Sequence, residues 1–153
     1  MKKQFLLLVA LTGAIAFFTG CNSSENKEEI VHKAMHETLI INLTSDATVS
    51  AHGSLMGIHL AEKALDNGMK AVVFLNVNGV KLLQPGADTI FFHNENIVKA
   101  LNKVTDKGGE IIACPHCMEA LGIDKAKIPS NVKVAEERVM MEKLKNNPTV
   151  FTY

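Results

Sequence analysis

Apolar residues along this chain alternate between two rhythms. Short, nearly unbroken runs read as strands: Leu39-Ile40-Ile41-Asn42-Leu43, Ala71 to Val77, Glu110-Ile111-Ile112-Ala113, Val132-Lys133-Val134-Ala135 and Thr149 to Tyr153. Between them the spacing lengthens to helical periods. Met56, Leu60 and Ala64 mark a helix over 52–67, stopped by Asn67-Gly68. Ile97, Leu101 and Val104 line one face of a second helix, capped by Asn94 and ended by Gly108-Gly109. Cys114-Pro115 opens a short helix through Leu121, stopped at Gly122. Glu136 to Asn147 forms the last, with acids early and lysines late to match its dipole, and Pro148 breaks it. Asn78 to Asp88 carries Gly79 and Pro85-Gly86 and reads as a loop.

Strands that are apolar on both faces need cover on both faces, and strands alternating with helices run parallel. The pattern predicts one α/β domain over 37–153, three layers deep, around a mostly parallel sheet of about five strands. Ligands of such sheets gather beyond the carboxyl ends of the strands. Those ends carry Thr44-Ser45-Asp46, Asn76 to Asn78, and Cys114.

The first 36 residues follow a different logic. Met1-Lys2-Lys3 is basic, and Phe5 to Phe18 then runs 14 residues without a charge. That suits the apolar region of a signal peptide and falls short of the ~20 residues a membrane-spanning helix needs. The run closes on Phe18-Thr19-Gly20-Cys21, which resembles the lipobox of bacterial lipoproteins, although Phe18 stands where Leu is more usual. We expect residues 1–20 to be a lipoprotein signal peptide and Cys21 the lipidated first residue of the mature chain. Residues 21–36 are polar and charged, a tether lifting the domain off the lipid. The expected location is a bacterial membrane surface, facing the periplasm or the cell exterior.

Charge narrows the partners. The chain has 16 basic and 16 acidic residues; without Lys2 and Lys3 the balance is 14 against 16. No basic stripe stands out and there is no Trp, which argues against nucleic-acid binding.

With Cys21 taken by lipid, Cys114 and Cys117 remain, too few for a disulfide scaffold at this size. In Cys114-Pro115-His116-Cys117, Pro115 fits the first helical position and leaves Cys114 as the N-cap. Unpaired backbone N–H groups there, and a protonated His116, favour the nucleophilic thiolate. Cys117 lies one turn on, within reach of an adduct on Cys114. A zinc site would need about four ligands, against two thiolates and scattered histidines. No cofactor is expected. His32 and His36 share a helical face in a charged segment near the tether, and His59 is mid-helix; both fit structural or solvated roles. His52, near the start of the first helix, and His93 lie on the side where the site should form. Together with Asp46, Asn76 and His116, His52 is a candidate for binding a substrate anion. The methionines read as core filling.

Gly108 through Cys114 to Ile123 resembles the DsrE/DsrF-like sulfur-relay proteins: a strand ending in a Cys, a short helix, then a Gly followed by an apolar residue. A preceding strand, the helix Leu55 to Gly68, and Lys70 to Val77 extend the resemblance over about Thr38 to Tyr153. It implies a flavodoxin-like fold, assembly as a homotrimer or homohexamer, and a persulfide carried on Cys114. The partners would be small sulfur species or a persulfide-bearing protein. Export and a second cysteine depart from the cytoplasmic relay proteins. Three readings stand: a persulfide carrier or sulfurtransferase; a dithiol/disulfide oxidoreductase using Cys114 and Cys117; and a non-enzymatic metal- or anion-binding module. Cys-Pro-His-Cys also occurs in thioredoxin-fold oxidants, but only 36 residues follow Cys117 here, and Ala113 stands where a Trp often precedes the motif.

Overall fold

The computed structural model describes residues 37–153. The expected signal peptide and tether, with Cys21 and the His32/His36 pair, lie outside the described residues. In chain order the elements are β1 (Thr38–Leu43), α1 (Ala51–Asp66), β2 (Lys70–Leu75), 3-10 segments Val77–Leu83 and Ala87–Thr89, β3 (Phe91–Phe92), β4 (Glu95–Asn96), α2 (Ile97–Asp106), β5 (Glu110–Ala113), α3 (Pro115–Ala120), a 3-10 turn Lys125–Lys127, β6 (Val132–Val134), α4 (Glu137–Lys145) and β7 (Thr149–Thr152).

Five strands form a parallel sheet in the order β6-β5-β2-β1-β7. The order explains the layers. From β1 to β2, β5 and β6, each connection steps to the next strand in one direction, and right-handed crossovers put the intervening helices on one face. The chain then reverses over the whole sheet to reach β7, so α4 lies on the opposite face. Burial agrees. Ile41, Val73 and Ile111 pack with Ile58 and Ala61 of α1, Ala100 and Val104 of α2, and Met118 of α3. On the other face Ile40, Val72 and Ile112 meet Met140 of α4. This is the expected three-layer α/β fold, with every strand of the main sheet parallel.

Three local expectations are corrected. The second strand stops at Leu75: the Asn76 N–H still donates to the Leu43 carbonyl at 2.9 Å, but Val77 then leaves the extended region at φ 49°. The stretch 78–88 is largely 3-10 turns whose Val80 and Leu82 plug into the core. Asn94 does not cap α2. It sits in the turn of a small antiparallel hairpin, β3-β4, and Asn96 caps instead, its side-chain oxygen accepting from the Lys99 N–H at 2.8 Å. Both asparagines are plausible caps by residue type; the pairing of Phe91 with Asn96 decides between them.

Candidate functional site

Connections leaving β5 and β6 go to opposite faces, so the sheet's switch point, where such folds open a crevice, lies between these strands. Cys114 is the first residue after β5. Its backbone is extended, and its N–H still donates to the Leu75 carbonyl at 2.9 Å, so the sheet fixes it. Pro115 is the first residue of α3, as its spacing predicts, and Cys114 is the N-cap: its Sγ accepts from the Cys117 N–H at 3.3 Å. Both thiols are free and half-buried. The helix is anchored from behind by Met118, fully buried in the main core, and ends at Gly122 in the left-handed region.

Cys117 is held by the segment that follows β2. Its thiol donates to Asn76 Oδ1 at 3.2 Å, and its sulfur accepts from the Val77 N–H at 3.2 Å. Asn76 is oriented in turn: its Nδ2 donates to Asn42 Oδ1 at 3.3 Å, and Asn42 Nδ2 donates to Thr152 Oγ1 at 3.3 Å. A row of polar side chains thus runs from β7 through β1 to the end of β2 and onto the second sulfur. Val77 adopts φ 49°, a left-handed conformation that costs a β-branched residue appreciable strain. The neighbouring backbone imposes it. Asn78 N–H donates to the Thr44 carbonyl and Gly79 N–H to the Asn76 carbonyl. Gly79 lies so close to β1 that a Cβ there would stand 2.1 Å from the Leu43 oxygen, so only glycine lets this turn seat.

The electrostatics separate the two thiols. Burial pushes the Cys117 thiol above its ordinary value of 9.0, the hydrogen bond with Cys114 adds to this, and the Val77 N–H partly offsets it. Among the described residues no charged side chain hydrogen-bonds to either sulfur. The pair therefore offers Cys114 as nucleophile and Cys117 as a protonated partner one turn away.

Of the residues singled out from sequence, the structure brings together Cys114, Cys117 and Asn76. His116 is exposed on α3 and bonds to neither sulfur. Asp46 does not join them. Its carboxylate is held by Lys81 Nζ at 2.6 Å and by Thr48, which lower its pKa to about 2. His52 stacks on Phe92 with ring centroids 4.4 Å apart, and His93 meets the same ring edge-on. His59 pairs with Glu95 at 3.1 Å, a structural contact. Among the described residues no three His, Cys, Asp or Glu side chains cluster as a metal site. Asn42 was not singled out, and Val77 only as part of the strand-end stretch Asn76 to Asn78. An Asn inside an otherwise apolar strand is a signal that could have found the first; nothing in the residue type points to the second.

Comparison with known proteins agrees with this architecture. Solved structures resemble the chain, and three of them show how far the likeness goes. The ychN protein from E. coli has 18% identity and a TM-score of 0.58, covering 77% of this chain and 99% of that one. A protein of unknown function, MTH1491 from Methanobacterium thermoautotrophicum, has 14% identity and a TM-score of 0.58, covering 76% and 99%. A conserved protein of unknown function, BT1422 from Bacteroides thetaiotaomicron, has 20% identity and a TM-score of 0.54, covering 76% and 95%. At these identities the likeness speaks to fold alone. No curated protein matches. The family model for DsrE/DsrF-like proteins matches residues 39–153, all of the sheet and its helices but the first residue of β1, and on that ground the chain belongs to the DsrE/DsrF-like family.

Proposed function

We propose that this protein is a sulfur carrier that holds sulfane sulfur as a persulfide on Cys114. Family membership points to a sulfur-relay type of role. The observation that carries the finer reading is the placement of Cys114: a half-buried, free thiol at the sheet's switch point, capping α3, with a second thiol behind it. In the loading step the Cys114 thiolate attacks the outer sulfur of a persulfide donor. The new Cys114–sulfur bond forms, the donor's sulfur–sulfur bond breaks, and the donor leaves as its thiolate. No net redox agent is needed.

The test is intact mass after exposure to inorganic polysulfide. Gain of one sulfur atom that persists in Cys117→Ser and vanishes in Cys114→Ser is expected; no gain on Cys114 with any donor overturns the reading. The hydrogen bond from the Cys117 N–H to the Cys114 sulfur also favours a second reading, a dithiol/disulfide couple. That reading predicts rapid exchange with reduced substrates and no retained sulfur. The carrier would act at a membrane surface, anchored through lipid on Cys21. Metabolic labelling with a fatty acid, lost in Cys21→Ser, tests the anchor.

A further inference from the structure

We propose that Asn76 is a positioning residue that holds Cys117 as a latch, keeping it protonated so that sulfur loaded on Cys114 is not released from within the chain. The proposal rests on the persulfide reading of Cys114.

The release it restrains is a balanced step. The Cys117 sulfur attacks the Cys114 sulfur of the persulfide, a Cys114–Cys117 bond forms, and the bond to the outer sulfur breaks. The outer sulfur leaves as hydrosulfide with the electron pair of the broken bond and the proton of Cys117. The two cysteines are oxidised to a disulfide while the sulfane sulfur is reduced. Only the Cys117 thiolate attacks efficiently, so whatever holds its proton holds the cargo.

The geometry around Cys117 discriminates between its two forms. One neighbour, Asn76 Oδ1, can only accept; the other, the Val77 N–H, can only donate, and it is shared between the sulfur and Asn76 Oδ1, the latter at 2.9 Å, so loss of the Asn76 side chain leaves it to the sulfur alone. A thiol satisfies both at 3.2 Å. A thiolate keeps the second bond and faces the lone pairs of the first. Asn76 cannot turn to offer its NH₂ group without giving up Asn42 Oδ1, and Asn42 is itself tied to Thr152. The turn that presents both groups is maintained at φ 49° on Val77 by the close seat of Gly79 on β1, so strain is spent on this arrangement. The groups facing Cys117 are Cys114 at the head of its own helix and, from the segment after β2, the uncharged Asn76 side chain and the Val77 amide. Displacement of the Asn76 side chain by a docking acceptor would free the thiol and open the release.

Two substitutions act in opposite directions. Asn76→Ala removes the acceptor and leaves the Val77 donor, favouring the thiolate. Asn76→Asp is isosteric and puts a carboxylate charge beside the sulfur, favouring the thiol. With full-length protein loaded by inorganic polysulfide and freed of excess, hydrosulfide release and disulfide formation at neutral pH should be about three- to tenfold faster in Asn76→Ala, the effect of losing one hydrogen bond. Both should be slower than wild type in Asn76→Asp. Equal rates, or a change of the same sign in both variants, would overturn the latch, since mere loosening of the site moves both alike. Asn76→Asp keeps the test available if alanine does not fold. Failure of loading is separable. In a Cys114→Ser background no persulfide forms, yet the pH profile of Cys117 alkylation should still move down for Asn76→Ala and up for Asn76→Asp. Unmoved profiles there sink the latch alone, whereas moved profiles without loading sink only the carrier.

Discussion

Cys117 and Asp46 are two ionisable side chains at one sheet edge with opposite fates. Cys117 is half-buried, against a neutral amide and another thiol, and its protonated form is favoured. The folded state then binds that proton more tightly than the unfolded chain. The contribution is complete below the ordinary thiol value of 9.0 and is lost as pH rises above it. We expect alkylation by iodoacetamide to label Cys114 ahead of Cys117 at neutral pH, read by peptide mass; equal labelling would contradict the division of roles. Asp46 runs the other way. Lys81 and Thr48 stabilise its carboxylate, so its contribution is present above the ordinary value of 3.8 and fades as pH falls toward about 2. Asp46→Asn should lower stability by about 1 kcal/mol at pH 7, by denaturant titration, and by less at pH 2–3. It should leave sulfur loading on Cys114 unchanged, because Asp46 is bonded away from the thiols.

At the scale of elements, the segment after β2 decides whether the thiols are arranged for chemistry. It leaves the sheet one residue after Leu75, presses Gly79 against the Leu43 carbonyl, and turns back with Val80 and Leu82 in the core. Gly79→Ala places a Cβ inside the contact distance of a backbone oxygen, so the turn must shift. A loss of about 2–4 kcal/mol is expected on thermal or chemical unfolding, the range of backbone clashes at strained sites. Folded Gly79→Ala should also show altered Cys117 alkylation, since the Val77 N–H moves with the turn. The helix α3 was legible from Cys114-Pro115 and Gly122, which mark its two ends by residue type alone. Asn94 misled because a capping residue is recognised by its side chain, while the hairpin that displaced the helix start to Asn96 depends on which residues pair.

For the whole molecule, the two faces of the sheet are unequally covered. Among the described residues, one carries α1, α2 and α3 and the larger core, and the other carries α4 alone. The edge strand β7 is exposed throughout, with Val150 pointing to one face and Phe151 to the other, and α4 leaves Met141 and Leu144 in solvent. Exposed apolar side chains on an edge strand and its neighbouring helix are a surface for self-association. We propose that the assembly the family resemblance implies, a homotrimer or homohexamer, uses this surface. Light scattering on purified protein should give that mass, and Phe151→Asp together with Leu144→Asp should shift it toward monomer; a monomeric wild type at micromolar concentration would refute it. The proposed lipid anchor on Cys21 would not draw on this surface. Among the described residues no helix is long and apolar enough to cross a bilayer.

The amino-acid sequence by itself determined the alternation of strands and helices, the parallel sheet, and the position of Cys114 at a strand end heading a helix. These follow from local periodicity and from Pro and Gly at element ends, which act over a few residues. Only the tertiary structure decided what Cys117 touches. Asn42, Asn76, Val77 and Cys117 are brought together by strand order and by the close seat of one glycine, and a contact between residues 34 and 41 positions apart is set by how the sheet closes, not by any local preference of the chain.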